Sequence, residues 1–337
     1  MHTLGSIPAG RGRLSRFAVS AFTRSAKVRA AASTLFQAVQ ESFRVNITPS
    51  HFYFPIPDLK SFNGKNWTEC QPCRGLDFRI EEQVAWLKSA VLPYAAEWAF
   101  PQPRHSGGHE FHLNNGYFET VDAEVAYSLV RQGKPRRIIE VGSGNTTLLL
   151  AAAVRKNAAE GSACDLISIA RGPEPLVQNG VPGLTQVING KVQNAPVELF
   201  HTLRANDILF IDSSHVVSTD SDVVFLLLRV LPELAPGVIV HFHDIFAPLD
   251  YPEKFVKSNL CFWNEQYMLE AFLQFNSAFR ILWASSAMQQ FRPDLLRSAF
   301  PAWEGSFTRM PNAKKQFVPT RDGKRVWPCS FWIVRES

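Results

Sequence analysis

The sequence predicts an α/β protein in which helices cover both faces of a largely parallel sheet. Two observations lead to this fold class. From Arg137 onwards, short apolar runs alternate with helical stretches, which is typical of parallel strands joined by crossover helices. The first apolar run ends in a glycine-containing turn that opens a helix. With 337 residues, the chain has room for one such domain and a substantial extension.

An N-terminal extension is expected before the sheet. Residues 1–42 are predicted to form a basic arm, partly helical from Ala18 to Glu41, and residues 43–115 a helical and loop segment that covers the core. The apolar spacing between Leu76 and Phe100 predicts an amphipathic helix, followed by a linker rich in Pro, Gly and His at 101–109.

A sheet of seven strands is predicted for the rest of the chain. Its strands are Arg137–Val141, Leu166–Ala170, Thr185–Ile188, Asp207–Ile211, Val238–Phe242, Arg280–Ala284 and Phe331–Val334. Helices are predicted at Val121–Gln132, Thr147–Lys156, Asp220–Leu234 and Asn264–Phe275. An insertion at about 285–329 exceeds an ordinary loop, so it is expected to fold over one edge or mouth of the sheet.

The net charge of +5 belongs to the arm and not to the body. The first 40 residues hold six basic side chains and no acidic one, whereas the other 297 carry 29 basic and 30 acidic groups. A body of net charge −1 gives no electrostatic footprint for nucleic acid, and no such partner is expected. The arm is interpreted as a solvated segment, with organelle import or a membrane-surface role as alternatives.

Membrane and redox features are sparse in the sequence. No apolar run approaches the roughly 20 residues of a spanning helix, so no transmembrane segment is expected. The five cysteines do not form a disulfide framework, which favours a cytoplasmic protein. Cys70 and Cys73 have CxxC spacing, but no second pair follows, and they are interpreted as two loop thiols. The oligomeric state is not predicted.

A glycine turn follows the first predicted strand, in the stretch Glu140-Val141-Gly142-Ser143-Gly144-Asn145-Thr146-Thr147. Glycine lets the backbone approach a ligand and a helix N-terminus offers unpaired amides, so the turn suits a nucleotide-like cofactor. A dinucleotide fingerprint would place a third glycine at Thr147 and an acid at the end of the second strand. Both are missing, which disfavours a hydride-transfer enzyme.

The acid-x-Gly-x-Gly pattern, with Glu140 as the acid, resembles motif I of the class I S-adenosylmethionine-dependent methyltransferases. Within that superfamily, the chain is most similar to a bacterial group through four stretches: Asn114–Phe118 with Asp122, Ile138–Gly144, Asp207–His215 and His241–Phe246. This resemblance implies a Rossmann-like methyltransferase sheet over residues 116–337, with seven strands of which the last is antiparallel. A nucleotide-binding α/β domain of another kind is the alternative.

The resemblance also implies S-adenosyl-L-methionine as the cofactor. The residues that it places near this cofactor are Glu140, Gly142, Ser143, Gly144, Asn145, Thr146, Asp212, Phe118 and Asp122. One departure matters, because the family usually has an acid at the end of the second strand that binds the ribose, and Ala170 stands there. Either Glu174 reaches back from the loop, or cofactor binding is weakened or lost.

Acids and histidines follow the fourth and fifth predicted strands. Asp212 and His215 come after the fourth, and His243 and Asp244 after the fifth. Adjacent parallel strands bring these positions to one mouth of the sheet, where carboxylates would suit Mg²⁺ and imidazole a transition metal. The arrangement resembles catechol-type O-methyltransferases, which implies Asp212 and Asp244 as metal ligands, His243 as a third, and His215 as the base.

Three other interpretations of this cluster stay open. A metal-free methyltransferase could use His215 as the base, and the acids and histidines could be structural, as helix caps and buried imidazoles. Two histidines and a carboxylate could also form the facial triad of a metal-dependent oxygenase, although the glycine turn argues against it.

Other residues are weaker site candidates. Asn115, with Phe118 and Asp122, is expected near the methionine end of the cofactor, and Gln193 and Asn194 near its adenine. An acceptor pocket could be formed by aromatic side chains, namely Trp263, Tyr267, Trp283 and Phe291. Aromatic residues at such spacings more often belong to the core.

The sequence therefore predicts a methyltransferase, with catalytic residues His215 and Asp212, that methylates a hydroxyl on a small molecule or a sugar-containing metabolite. The missing acid at Ala170 leaves one alternative outside catalysis, a methyltransferase-like pseudoenzyme that binds a partner.

Overall fold

The computed structural model describes residues 26–47, 53, 55–101, 110–113, 115–303, 305–308, 316–321, 324–325 and 328–336. The chain divides into two compact units, Met1–Lys65 and Asn66–Ser337. In the first unit, α1 spans Ala26–Phe43 and a 3₁₀ turn spans Leu59–Phe62. Residues 1–25 of the predicted basic arm lie outside the described residues, as does most of the predicted linker, at 102–109.

Ten strands are described in the second unit, and seven of them match the predicted ones to within one residue at each end. They are β1 Arg137–Val141, β2 Asp165–Ala170, β3 Gln186–Asn189, β4 Ile208–Ile211, β5 Ile239–Phe242, β6 Phe279–Ala284, β7 Gly305–Thr308, β8 Gln316–Arg321, β9 Lys324–Arg325 and β10 Phe331–Arg335. Strands β7, β8 and β9 form a separate small sheet within the predicted insertion.

The central sheet has the strand order β3-β2-β1-β4-β5-β10-β6. Strand β1 pairs in parallel with both β2 and β4, whereas β10 is antiparallel to β5 and β6. This confirms the predicted fold class, a Rossmann-like sheet of seven strands whose last strand is antiparallel. The strand order reverses between β1 and β4, and ligands of open α/β sheets bind at the carboxyl ends of strands at such a point.

Nine α-helices are described in the second unit. They are α2 Ile80–Trp86, α3 Asp122–Gly133, α4 Asn145–Ala159, α5 Pro175–Gln178, α6 Val197–Phe200, α7 Asp222–Phe225, α8 Glu265–Leu273, α9 Ser285–Phe291 and α10 Pro293–Ala299. The helix predicted from Leu76 begins later, because Arg79 adopts a left-handed conformation at φ 49°. The Asp77 carboxylate accepts a hydrogen bond from the Arg79 amide and stabilises that turn.

Two helices lose their regular α-helical geometry shortly before a proline. Helix α2 continues as a π-helical turn at Leu87–Val91 and a 3₁₀ segment at Leu92–Glu97, which contains Pro93. Helix α7 does the same through Leu226–Val230 and Leu231–Glu233, which contains Pro232. Because proline has no N–H to donate and its ring crowds the preceding turn, a regular α-helix cannot continue through it.

The core lies on both faces of the sheet. On β1, Ile138 and Ile139 belong to different apolar clusters, as expected when successive side chains of a strand point to opposite faces. The cluster that contains Ile138 also includes Val84, Leu87 and Val91. Residues from Val84 to Val91, within the segment predicted to cover the core, are therefore part of the core itself.

The first half of the insertion packs on the same cluster. Leu296, Phe300 and Trp303 belong to it, and the ring of Phe300 stacks on that of Trp98 with centroids 5.3 Å apart. Residues 304 and 309–315, within the predicted insertion, lie outside the described residues. Among the described helices, none is long and apolar enough to cross a membrane.

Candidate active site

The glycine turn joins β1 to α4 and is held by the buried Glu140. Its carboxylate accepts hydrogen bonds from the hydroxyls of Thr146 (2.6 Å) and Thr147 (2.7 Å), in the first turn of α4. The Thr147 hydroxyl in turn accepts the Gly144 amide at 3.0 Å. Burial raises the pKa of Glu140 to about 7, because water cannot solvate its charge, although the threonine hydrogen bonds oppose this shift.

Gly142 brings the turn close to the end of β4. It has a φ of 116°, and a Cβ placed on it would lie 2.5 Å from the backbone oxygen of Asp212. The Asp212 amide donates to the Val141 carbonyl at 2.8 Å, which continues the β1–β4 pairing. Only glycine therefore allows the turn and the candidate acid to approach this closely.

The end of β2 has no acid. Ala170 accepts the Gly190 amide at 3.0 Å through its carbonyl, and the Asn189 side chain accepts the Gly172 amide at 3.1 Å. Glu174, which the sequence offers as a substitute, is exposed at the start of α5. The polar groups next to Ala170 thus come from the end of β3.

His215 lies at the centre of the acid cluster and is almost completely buried. Its Nε2 is 3.5 Å from Asp212 Oδ1 and 3.6 Å from Asp244 Oδ2. The carboxylates that follow β4 and β5 thus converge on one imidazole nitrogen, as the sequence predicts for adjacent strands. Both His215 (φ 59°) and Asp244 (φ 55°) adopt the left-handed conformation, which costs such residues about 1–3 kcal/mol each and is common at functional sites.

A third carboxylate, that of Glu265, lies on the opposite side of the imidazole. Its Oε2 is 2.8 Å from His215 Nδ1, and the Ser213 hydroxyl donates to its Oε1 at 3.4 Å. The His215 carbonyl also accepts the amides of Asn264 and Glu265, which joins the loop after β4 to the start of α8. Glu265 could not be predicted from the sequence, because 50 residues separate it from His215 and no motif contains both.

The carboxylates favour the protonated form of His215. Burial opposes protonation, but hydrogen bonds to Asp212 and Glu265 and the charge of Asp244 raise its pKa well above 6.5. Burial also disfavours the ionised form of Asp212, yet the hydrogen bond and charge of His215 leave the pKa of this carboxyl lowered. The cluster therefore holds a proton at neutral pH.

Two further histidines, His241 and His243, lie on β5 and directly after it. His241 is buried in the core, with Nε2 2.9 Å from the Ser330 hydroxyl and its ring stacked on Phe210 at 3.8 Å. His243 Nε2 is 4.0 Å from Asp244 Oδ1, and its ring lies 5.1 Å from that of Phe118. Among the described residues, the side chains whose ligand atoms all lie within 4.8 Å of one another are Asp122, His243 and Cys329.

The weaker site candidates from the sequence lie at different places in the structure. Asn115 holds its own loop, accepting the amides of Tyr117 and Phe118 at 2.8 Å each, and Gln193 donates to the Asp220 carbonyl. Of the four aromatic residues, Trp263 lies 4.6 Å from the His215 ring, whereas Trp283 is fully buried against Trp86. Half-exposed Phe291 pairs with Phe78 at 6.3 Å. The structure thus places one of them, Trp263, against the histidine.

Residues 139–245 match the family model described as a methyltransferase domain. They run from β1 through the glycine turn to the acid after β5. By this match, the stretch is similar to methyltransferase domains. An uncharacterised protein from Archaeoglobus fulgidus is 27% identical over 166 residues, which cover 47% of this chain and 74% of that protein.

Solved structures that are similar to this chain have low sequence identity to it. The apo structure of CmcI-N160 is 16% identical with a TM-score of 0.33, covering 72% of this chain and 91% of that one. An O-methyltransferase from Bacillus cereus in complex with SAH is 13% identical with a TM-score of 0.31, covering 90% and 97%.

Proposed function

We propose that the chain is an S-adenosylmethionine-dependent O-methyltransferase that acts on a hydroxyl of a small molecule or a sugar-containing metabolite. The observation that carries this proposal is the convergence of Asp212 and Asp244 on Nε2 of His215, beside the glycine turn of the methyltransferase domain. An imidazole in its neutral form can take the proton of an acceptor hydroxyl, and neighbouring carboxylates can orient both groups.

The cofactor would supply an electrophilic methyl group bound to its sulfonium. Transfer of that methyl group to the acceptor oxygen would release the hydroxyl proton, which Nε2 of His215 would accept. Asp212 would orient the acceptor. The tight turn at Gly142 would allow the cofactor to lie close to the backbone there, next to Asp212. Fixed placement of acceptor and methyl supplies much of the rate in such reactions.

Glu265 determines which nitrogen of His215 can act as the base. A carboxylate 2.8 Å from Nδ1 keeps the proton on that nitrogen, so Nε2 is the one that accepts. The surrounding negative charge raises the pKa of His215, and some positive charge near Asp212 and Asp244 would be needed to free Nε2 at neutral pH.

The oxygens beside His215 have the chemistry of a site for a hard divalent ion. Asp212 Oδ1 and Asp244 Oδ2 lie 3.5 and 3.6 Å from the same nitrogen. Because the ligand atoms of Asp212, His215 and Asp244 do not all lie within 4.8 Å of one another, the two carboxylates would have to move closer to share one cation. Asp212 and Asp244 would hold Mg²⁺ or a related ion, with His243 as a further ligand. Such an ion lowers the pKa of a hydroxyl bound to it and offsets the carboxylate charge.

Calorimetric titration of the purified chain tests this function. S-Adenosylmethionine and S-adenosylhomocysteine are each titrated with Mg²⁺ or Mn²⁺ present, and again with chelator. Micromolar binding supports the cofactor assignment, and a dependence on the metal separates the metal-assisted from the metal-free mechanism.

A second candidate function rests on Ala170, which leaves the end of β2 without an acid. If neither ligand binds, the enzyme proposal is wrong, and a methyltransferase-like domain that binds a partner replaces it.

A further inference from the structure

A second set of metal-ligand side chains lies next to the His215 cluster. Asp122 begins α3, His243 directly follows β5, and Cys329 lies just before β10. Their ligand atoms lie within 4.8 Å of one another, and all three residues are buried. Because Asp122 and Cys329 are 207 positions apart, only the tertiary structure brings these side chains together.

The spacing of the ligand atoms is close to that around a tetrahedral ion. Cys329 Sγ is 3.9 Å from each ring nitrogen of His243 and 3.3 Å from Asp244 Oδ1, and His243 Nε2 is 4.0 Å from the same oxygen. Zinc bonds of 2.0–2.3 Å place tetrahedral ligand atoms roughly 3.3–3.7 Å apart. The ligand atoms of Asp122, His243 and Cys329, which lie within 4.8 Å of one another, would therefore have to move closer by up to about 1 Å to bind one ion.

The neighbours of Asp122 only partly satisfy its buried carboxyl. Its Oδ2 accepts the Cys329 amide at 2.8 Å, and the Ser285 hydroxyl and the Ser330 amide also interact with the carboxyl, but its Oδ1 completes no hydrogen bond of full geometry among the described residues. A bound cation would satisfy this oxygen.

We propose that Asp122, His243 and Cys329 bind a divalent transition-metal ion of the zinc class. A thiolate and an imidazole select zinc or cobalt, whereas Mg²⁺ takes oxygen ligands. This site shares His243 with the magnesium site proposed on Asp212 and Asp244, so the two ions would compete for that imidazole. A bound ion would tie the start of α3 to the ends of β5 and β10, and would stabilise the fold independently of methyl transfer.

Cobalt titration of the metal-stripped full-length chain tests the site. Co²⁺ bound to a thiolate gives a charge-transfer absorption band, which carboxylates and imidazoles do not give. We expect one Co²⁺ per chain with this band, its loss when Zn²⁺ is added, and a higher melting temperature with either ion. Cys329→Ser is expected to abolish the band and the thermal shift, and Asp122→Asn to weaken binding at least tenfold.

Matched variants assign the band to this site. Cys73→Ser removes a thiol of the CxxC pair and Cys261→Ser a partly exposed one, and both should keep the band. Asp212→Asn should also keep it, because Asp212 belongs to the other cluster. A band that persists in Cys329→Ser, or disappears in Cys73→Ser, overturns the proposal. If Cys329→Ser does not fold, Asp122→Asn decides, since unchanged affinity there contradicts the site.

Discussion

Glu265 lies 2.8 Å from Nδ1 of His215, and this contact turns the opposite ring nitrogen towards Asp212 and Asp244. The imidazole is thus enclosed by three carboxylates from the ends of β4 and β5 and the start of α8. Their combined charge, and not any single pair, accounts for the raised pKa of His215. The ability of His215 to accept a proton therefore depends on how much of the carboxylate charge is offset when ligands are bound.

Replacing Glu265 with Gln should lower the pKa of His215. The substitution removes one negative charge and keeps the shape of the side chain, so the protonated imidazole loses a partner. The raised pKa means that His215 contributes stability below pH 6.5, and that this contribution is lost as the pH rises through the folded-state pKa. The variant should therefore lose unfolding free energy at pH 6 and little at high pH.

NMR titration of the His215 ring, with urea unfolding across the same pH range, measures both effects. Glu270→Gln on the same helix is the control, since the acid near Glu270 is Asp250. An unchanged His215 titration in Glu265→Gln would show that the contact does not govern its protonation.

His215→Ala should lower methyl transfer far more than it lowers cofactor affinity. The imidazole is proposed to accept the hydroxyl proton, and loss of a positioned base typically costs 10²–10⁴-fold in rate. Turnover with a hydroxylated acceptor and the Kd for S-adenosylmethionine are compared in one preparation. His201→Ala, at a half-exposed histidine paired with Glu233, controls for the loss of an imidazole elsewhere. Equal losses of turnover and affinity would contradict the assignment of His215 as the base.

Gly142→Ala should weaken cofactor binding by at least tenfold. The added Cβ would lie 2.5 Å from the backbone oxygen of Asp212, at a φ of 116° that other residues rarely adopt. The turn must therefore move away from β4. Calorimetry with S-adenosylhomocysteine measures the change, and Gly133→Ala, where a Cβ meets nothing within 4 Å, is the control. Normal affinity in Gly142→Ala would place the cofactor away from this turn.

The sheet and the mouth of the site could be predicted from the sequence because both depend on local signals. Apolar runs define β1 to β6 and β10, and Asp212 and Asp244 follow their strands directly, so their proximity is a consequence of strand order. Glu265 could not be predicted, because its contact depends on where α8 packs. The same applies to Cys329, which reaches Asp122 and Asp244 only through the antiparallel placement of β10 beside β5.

Glu140→Gln should remove a pH dependence of stability. The pKa of Glu140 rises from 4.5 to about 7 on folding, so its folded form binds a proton more tightly than its unfolded form. Stability from this group is full below pH 4.5 and lost as the pH rises through 7, a change on the order of 3 kcal/mol. Urea unfolding from pH 4 to 8 should therefore show a flatter profile for the variant. The exposed Glu198→Gln is the control, and parallel profiles for wild type and Glu140→Gln would rule out this titration.

Arg131→Met should destabilise the chain by about 3 kcal/mol, because it removes a buried charge that joins three segments. The Arg131 guanidinium on α3 donates to Glu97 at 2.8 Å and to Glu160 at 2.5 Å, and it also bonds Asn157 of α4. Methionine keeps the apolar length, but it removes the donor to Asn157 Oδ1 and leaves Glu97 with the Tyr127 hydroxyl as its remaining hydrogen-bond donor. Since Glu97 ends the helical stretch that begins with α2, this network holds that helical stretch on the sheet.

Urea unfolding at neutral pH measures the loss of unfolding free energy in Arg131→Met. Arg297→Met, at a half-exposed arginine paired with Asp294, should change stability by less than about 1 kcal/mol. An equally small effect of Arg131→Met would mean that apolar packing of Val84, Leu87 and Val91 alone holds this segment in place.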